Sequence, residues 1–98
     1  MEIKQDSQYV DEDWWQWSVQ LKDSRPELDK VKYVEYSLHP TFPQPVRRIS
    51  NRDSNFKLET AGWGEFPIDA KVVYKDGSEI KLKHELELKY PSGERTNK

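Results

Sequence analysis

The chain has 98 residues, 35% of them charged and 34% hydrophobic, with sixteen basic and eighteen acidic side chains and a formal net charge of -2. That length makes one domain, and the charge balance excludes general nucleic-acid binding, which needs a basic surface to displace phosphate counterions. The absence of cysteine excludes disulfides, thiolate catalysis and cysteine-ligated zinc, and no apolar run approaches the ~20 residues of a membrane span.

Twelve percent of the residues are aromatic, four of them Trp. Each such ring buries ~150–250 Å², so a modest core is within reach despite the scarcity of aliphatic side chains. Residues 1–12 are polar and acidic, without the apolar stretch of a signal peptide. They read either as an edge strand or as a flexible start. The expected location is cytoplasmic, or nuclear if the source is eukaryotic, with no membrane contact.

From Trp14 onward the pattern sharpens. Trp15, Trp17, Val19 and Leu21 alternate with Gln16, Ser18 and Gln20, which predicts a strand with one buried face. Trp14 falls on the opposite face, as a candidate exposed patch. Residues 22–26 carry the Asp23, Ser24 and Pro26 of a turn. A second strand puts Val34, Tyr36 and Leu38 on one side, with a bulge or a late start near Lys32. Pro40, Pro43 and Pro45 keep residues 40–55 from being an interior strand along their length.

Phe56 and Leu58 predict a short strand before Thr60-Ala61-Gly62. Phe66, Ile68, Ala70 and Val72 then share the buried face of another strand. Asp76-Gly77 is a hairpin turn between Tyr74 and Ile80. In the last strand Ile80, Leu82, His84, Leu86 and Leu88 are expected inward, with His84 a satisfied core histidine. Residues 91–98 read as a disordered polar tail. No window shows a helical period. Five to seven strands spaced by turns predict an all-β, immunoglobulin-like antiparallel β-sandwich.

Two loops stand out at strand ends, His39-Pro40-Thr41-Phe42-Pro43 and Gly62-Trp63-Gly64-Glu65-Phe66. They bring three large rings, an imidazole and a hydroxyl onto loops, where shaped recognition sites form. Phe66 starts a strand in phase with the core, so core packing and pocket lining are equally open for it. Arg47, Arg48 and Arg52 form a local basic cluster that reads as a solvated loop, and Glu65 as an exposed carboxylate. Two histidines 45 positions apart, without a paired nucleophile, metal-ligand motif or phosphate loop, point away from an enzyme. No cofactor and no metal are expected.

The run from Tyr36 to Arg47, Phe56-Lys57-Leu58, and Gly62-Trp63-Gly64-Glu65-Phe66 resemble the YEATS domain. Trp17-Ser18-Val19 is similar to that family's early Trp-x-Val strand, and Leu82 to Leu88 to its closing strand. The resemblance covers roughly residues 14–90, within a domain placed at 13–90. The short length and the Asp76-Gly77 hairpin look more like the prokaryotic branch.

The resemblance implies an immunoglobulin-like sandwich that binds an acylated-lysine peptide or protein (a histone, in a eukaryote) through a cage of aromatic rings. It assigns ligand binding to His39, Thr41, Phe42, Gly62, Trp63, Gly64 and Phe66. Phe42 and Trp63 supply the rings and Phe66 a side wall. The Thr41 hydroxyl accepts the amide N–H, the Trp63 backbone N–H donates to the acyl oxygen, and His39 holds Thr41. The alternative is an adaptor domain of a bacterial signalling or defence system with a vestigial cage, meeting its partner through a sheet edge or the tryptophan cluster.

Overall fold

The computed structural model describes residues 1–62 and 64–90. Seven strands dominate: β1 (Glu2–Asp11), β2 (Trp14–Lys22), β3 (Val31–Ser37), β4 (Val46–Ile49), β5 (Leu58–Gly62), β6 (Pro67–Tyr74) and β7 (Glu79–Glu85). They form two antiparallel sheets, ordered β1-β2-β5 and β4-β3-β6-β7. This is the expected immunoglobulin-like sandwich. The tail expected over 91–98 lies outside the described residues.

The alternation read along the chain becomes the packing between the sheets. Trp15, Trp17, Val19 and Leu21 of β2 are all buried, and they meet Val34 and Tyr36 of β3 and Ile68, Ala70 and Val72 of β6. In the β1–β2–β5 sheet the outward residues between them alternate, as a period of two requires. The irregular start of the second strand is a register shift between Val31 and Tyr33. The Asp76-Gly77 turn closes the β6–β7 hairpin, with Gly77 at φ +91, a conformation glycine adopts without steric cost.

Three expectations are corrected. The segment after Lys22 holds a short helix, α1 (Arg25–Asp29), with Pro26 in its first turn where a missing N–H costs nothing. The strand expected at Phe56 begins at Leu58 and runs on to Gly62. Asn55 and Phe56 instead take left-handed backbone, at φ +57 and +58, and the Phe56 N–H bonds Asn51 O at 2.9 Å. Finally, Ile80 is 38% exposed rather than inward. β7 is the outer strand of a four-stranded sheet that faces only three strands, so its hairpin end lacks cover. Regular pairing stops at Glu85, and Leu86 and Leu88 are buried beyond it.

His84 is half-buried, and its Nε2–H donates to Gln5 Oε1 at 2.7 Å. The same oxygen accepts the Glu87 N–H at 3.0 Å, and Gln5 Nε2 donates to Glu87 O. One glutamine thus ties the free side of β1 to the stretch after β7.

Candidate functional site

The chain leaves β3 through Leu38, whose N–H bonds Pro45 O at 2.7 Å, so residues 39–44 form a loop closed at its base. Inside it the Phe42 N–H bonds His39 O at 3.0 Å, a tight turn. Pro40, Pro43 and Pro45 each fix one backbone dihedral and reduce the freedom this loop must lose on folding. Arg47, from β4, reaches back over it. Its Nε donates to Gln44 O and its Nη2 to Pro43 O, both at 3.0 Å. The expected solvated arginine is a clamp on the loop.

Rings descend from this loop into the core. His39 is exposed, Phe42 half-buried, Phe66 9% exposed and Trp17 3% exposed. Ring centroids lie 6.0 Å apart for His39 and Phe66, 5.3 Å for Phe42 and Phe66, 5.8 Å for Trp17 and Phe66, and 6.3 Å for Trp17 and Phe42. Tilted and edge-on pairs at these distances are the arrangements that aromatic quadrupoles favour. Phe66 therefore belongs to both alternatives left open for it: it packs the core with one side and lines a cleft with the other.

That cleft encloses about 610 Å³, within the usual range for small-molecule and peptide side-chain sites. His39, Thr41, Phe42, Gly62, Gly64 and Phe66 line it. Six of the seven residues singled out in the sequence are thus brought together. The seventh, Trp63, lies outside the described residues. Gly62 ends β5 opposite Trp15, and a Cβ there would stand 3.4 Å from Phe42 Cζ and 3.7 Å from Trp17 Nε1. The glycine lets Phe42 settle directly against the end of β5.

His39 and Thr41 form a hydrogen-bonded pair on the lining of the cleft. His39 Nδ1 lies 2.8 Å from Thr41 Oγ1 and accepts the Thr41 backbone N–H at 3.3 Å. A backbone N–H can only donate, so Nδ1 is the unprotonated nitrogen and the Thr41 hydroxyl donates to it as well. The lone pairs of Oγ1 are left to accept from elsewhere. Glu65 also lines the cleft, but its Oε2 accepts the Leu88 N–H at 2.7 Å, so it is a buttress rather than the exposed carboxylate expected.

Trp14, Arg47, Thr60 and Glu65 were not assigned to a site from the sequence, and all four line the cleft. The signal for Trp14 lies in strand register. Trp15 pairs with Gly62, which sets the preceding tryptophan beside the glycine loop. That pairing is invisible in either strand alone. Among the described residues no group of three His, Asp or Glu is placed to hold a metal ion, and no helix is long and apolar enough to cross a membrane.

Residues 15–87 match the prokaryotic YEATS domain family. The chain is similar to transcription initiation factor TFIID subunit 14 of Schizosaccharomyces pombe, 36% identical over 77 residues that cover 72% of this chain and 31% of that protein. It is also similar to the protein AF-9 homolog of Kluyveromyces lactis, 38% identical over 68 residues that cover 67% of this chain and 30% of that protein. The chain thus spans about a third of the length of these curated relatives. Among solved structures, the YEATS domain of yeast Yaf9 matches with a TM-score of 0.68 at 26% identity, covering 91% of this chain and 70% of that one. Yaf9 bound to H3K27ac matches with a TM-score of 0.70 at 24% identity, covering 96% of this chain and 73% of that one, a likeness of fold.

Proposed function

The chain belongs to the prokaryotic YEATS domain family, and from that premise we propose that it is a non-enzymatic reader of acylated lysine. The observation that carries the reading is the pairing of Thr41 Oγ1 with His39 Nδ1 at 2.8 Å on the lining of an aromatic cleft, which leaves the hydroxyl oxygen able to accept. An acetyl- or crotonyl-lysine side chain is neutral and carries a flat amide. It needs apolar faces on both sides, one acceptor for its N–H and one donor for its carbonyl, and no carboxylate.

Thr41 supplies the acceptor and Phe42 one face. Phe66, Gly62 and Gly64 line the cleft beside them. Trp63 is assigned the second face, and its backbone N–H the donor to the acyl oxygen. Stacking of this kind contributes about 0.5–1.5 kcal/mol per ring pair. A dissociation constant of 1 μM already needs about -8 kcal/mol, so micromolar or weaker binding is the natural range. The Yaf9 domain seen with H3K27ac, and the same domain recognising an H3K122suc peptide, make an acylated histone-like peptide the first ligand to try.

The test is a titration of acetyl-lysine and crotonyl-lysine peptides into isotope-labelled protein. Amide signals of residues 39–42 and 62–66 shift if the reading is right. Silence at those positions, with partner binding intact in Trp63→Ala, leaves an adaptor domain whose cage is vestigial.

A further inference from the structure

β5 is the outer strand of the β1-β2-β5 sheet, so its second side has no strand beside it. Which of its backbone groups face that side follows from β2. The Leu21 N–H bonds Asn55 O at 3.0 Å. Val19, Trp17 and Trp15 lie at two-residue steps from Leu21, so their backbone groups also turn toward β5 and engage their partners Leu58, Thr60 and Gly62. The N–H and C=O of Glu59 and Ala61 point the other way, and among the described residues none of these four groups is bonded.

That open side borders the aromatic cleft. Thr60, Ala61 and Gly62 are consecutive, so they face opposite sides of the sheet in turn, yet all three line the same cleft. One concavity touches both faces of a strand only around its edge. The sequence also leaves this edge approachable. Exposed edges are ordinarily blunted by charged side chains, proline or a bulge. β4 follows Pro45 and carries Arg47 and Arg48, and β7 carries Lys81 and Lys83. The free side of β1 is tied down through Gln5. β5 ends in the small residues Thr60-Ala61-Gly62, with none of these guards where it meets the cleft.

We propose that the peptide bearing the acylated lysine pairs with this edge as an added antiparallel strand, with the acyl-lysine opposite Thr60. The inference rests on the reading of the cleft given above and supplies the backbone contacts that hold the peptide outside it. Thr60 pairs with Trp17, whose ring is buried, so Thr60 faces the inner side of the sheet. A residue opposite Thr60 on the far side sends its side chain to that same face, where Phe42 and Phe66 line the cleft. Its two neighbours then lie opposite Glu59 and Ala61, and each exchanges a pair of hydrogen bonds with the residue it faces. The strand pairings of both sheets are antiparallel, the arrangement with the slightly stronger ladder. Recognition through main-chain groups tolerates many flanking side chains but excludes proline directly beside the acyl-lysine.

The experiment uses synthetic peptides of one sequence bearing a single acetyl-lysine, each with one backbone nitrogen methylated, from two positions before the acetyl-lysine to two positions after it. Methylation directly before or after the acetyl-lysine removes a donor and sets a methyl group against β5, which weakens binding about tenfold. At the acetyl-lysine itself, or two positions away, the methyl points away from β5 and affinity changes less than about twofold. Amide hydrogen exchange of the wild-type protein is followed with and without the unmethylated peptide. At about ten times the dissociation constant, exchange at Glu59 and Ala61 slows about tenfold. Glu59 lies outside the cleft lining, so filling the cleft alone leaves its amide exchanging as before. A peptide that binds with any other methylation pattern, or that leaves Glu59 unprotected, overturns the proposal while the cleft reading stands. If no acetylated peptide binds, the cleft reading fails and the added strand falls with it.

Discussion

The imidazole Nδ1 of His39 takes two hydrogen bonds from a single residue, one from the Thr41 backbone N–H at 3.3 Å and one from the Thr41 hydroxyl at 2.8 Å. This pairing gives the hydroxyl a direction. Without the imidazole, Oγ1 is an exposed rotor, and an arriving amide must share it with water. His39→Ala is therefore expected to weaken acyl-lysine binding about five- to twentyfold, or about 1–2 kcal/mol. Because His39 is exposed, its melting temperature should stay close to the wild type. Calorimetric titration alongside a thermal melt checks both, and unchanged affinity would mean that Thr41 needs no orientation.

Phe42 separates a cleft wall from a core residue. It is half-buried and touches Trp17 and Phe66 with one side only, while the other faces the opening. Phe42→Ala should lower stability by about 1–2 kcal/mol, less than the ~3–5 kcal/mol typical of a fully buried ring. Acyl-lysine binding should fall below detection. Urea unfolding with an unchanged slope, beside a failed peptide titration, is the expected pair of results. Gross unfolding would show the ring to be core.

Most of the sandwich could be read from period-two alternation, since Trp15, Trp17, Val19 and Leu21 mark a buried face without any knowledge of their partners. The hairpin at Asp76-Gly77 was equally plain, because its turn chemistry is local. What escaped reading was whatever depends on a neighbour. Helix α1 has five residues, too few to display a 3.6-residue period. Phe56 looks like a strand residue, yet its left-handed backbone is set by Asn51 and Tyr36. Arg47 and Glu65 look solvated in the sequence, and only the folded loop gives each a backbone group to hold. The cluster of His39, Thr41, Phe42, Gly62, Gly64 and Phe66 was legible because both motifs lie in short, contiguous loops.

Tyr36 offers a stability test away from the cleft. Its fully buried hydroxyl donates to Phe56 O at 2.7 Å, and burial pushes its pKa far above the ordinary tyrosine value. The bond pins the left-handed corner from which β5 departs toward Gly62. In Tyr36→Phe the Phe56 carbonyl loses this donor in a buried site, a loss of about 1–3 kcal/mol. The urea midpoint should fall accordingly, while peptide affinity measured well below the melting temperature stays the same. A variant as stable as the wild type would show that the corner holds without Tyr36.

His84 predicts how stability responds to acid. Burial lowers its pKa from the ordinary 6.5, and the carboxylates of Glu87 and Glu85 only partly oppose that shift. The folded chain therefore prefers the neutral ring, whose Nε2–H is held by Gln5 Oε1. The unfolded chain regains the ordinary value and binds the proton more readily, so protonation favours unfolding. The contribution is complete above about pH 6.5 and is lost as pH falls toward the depressed folded value. Carboxylates elsewhere also titrate in acid, so the measurement is a difference. Unfolding free energies of the wild type and His84→Gln are compared from pH 8 to pH 5, where the glutamine keeps an amide donor without a titrating group. The wild type should lose stability relative to the variant as the pH drops, and a constant gap across that range would mean that His84 is as well solvated folded as unfolded.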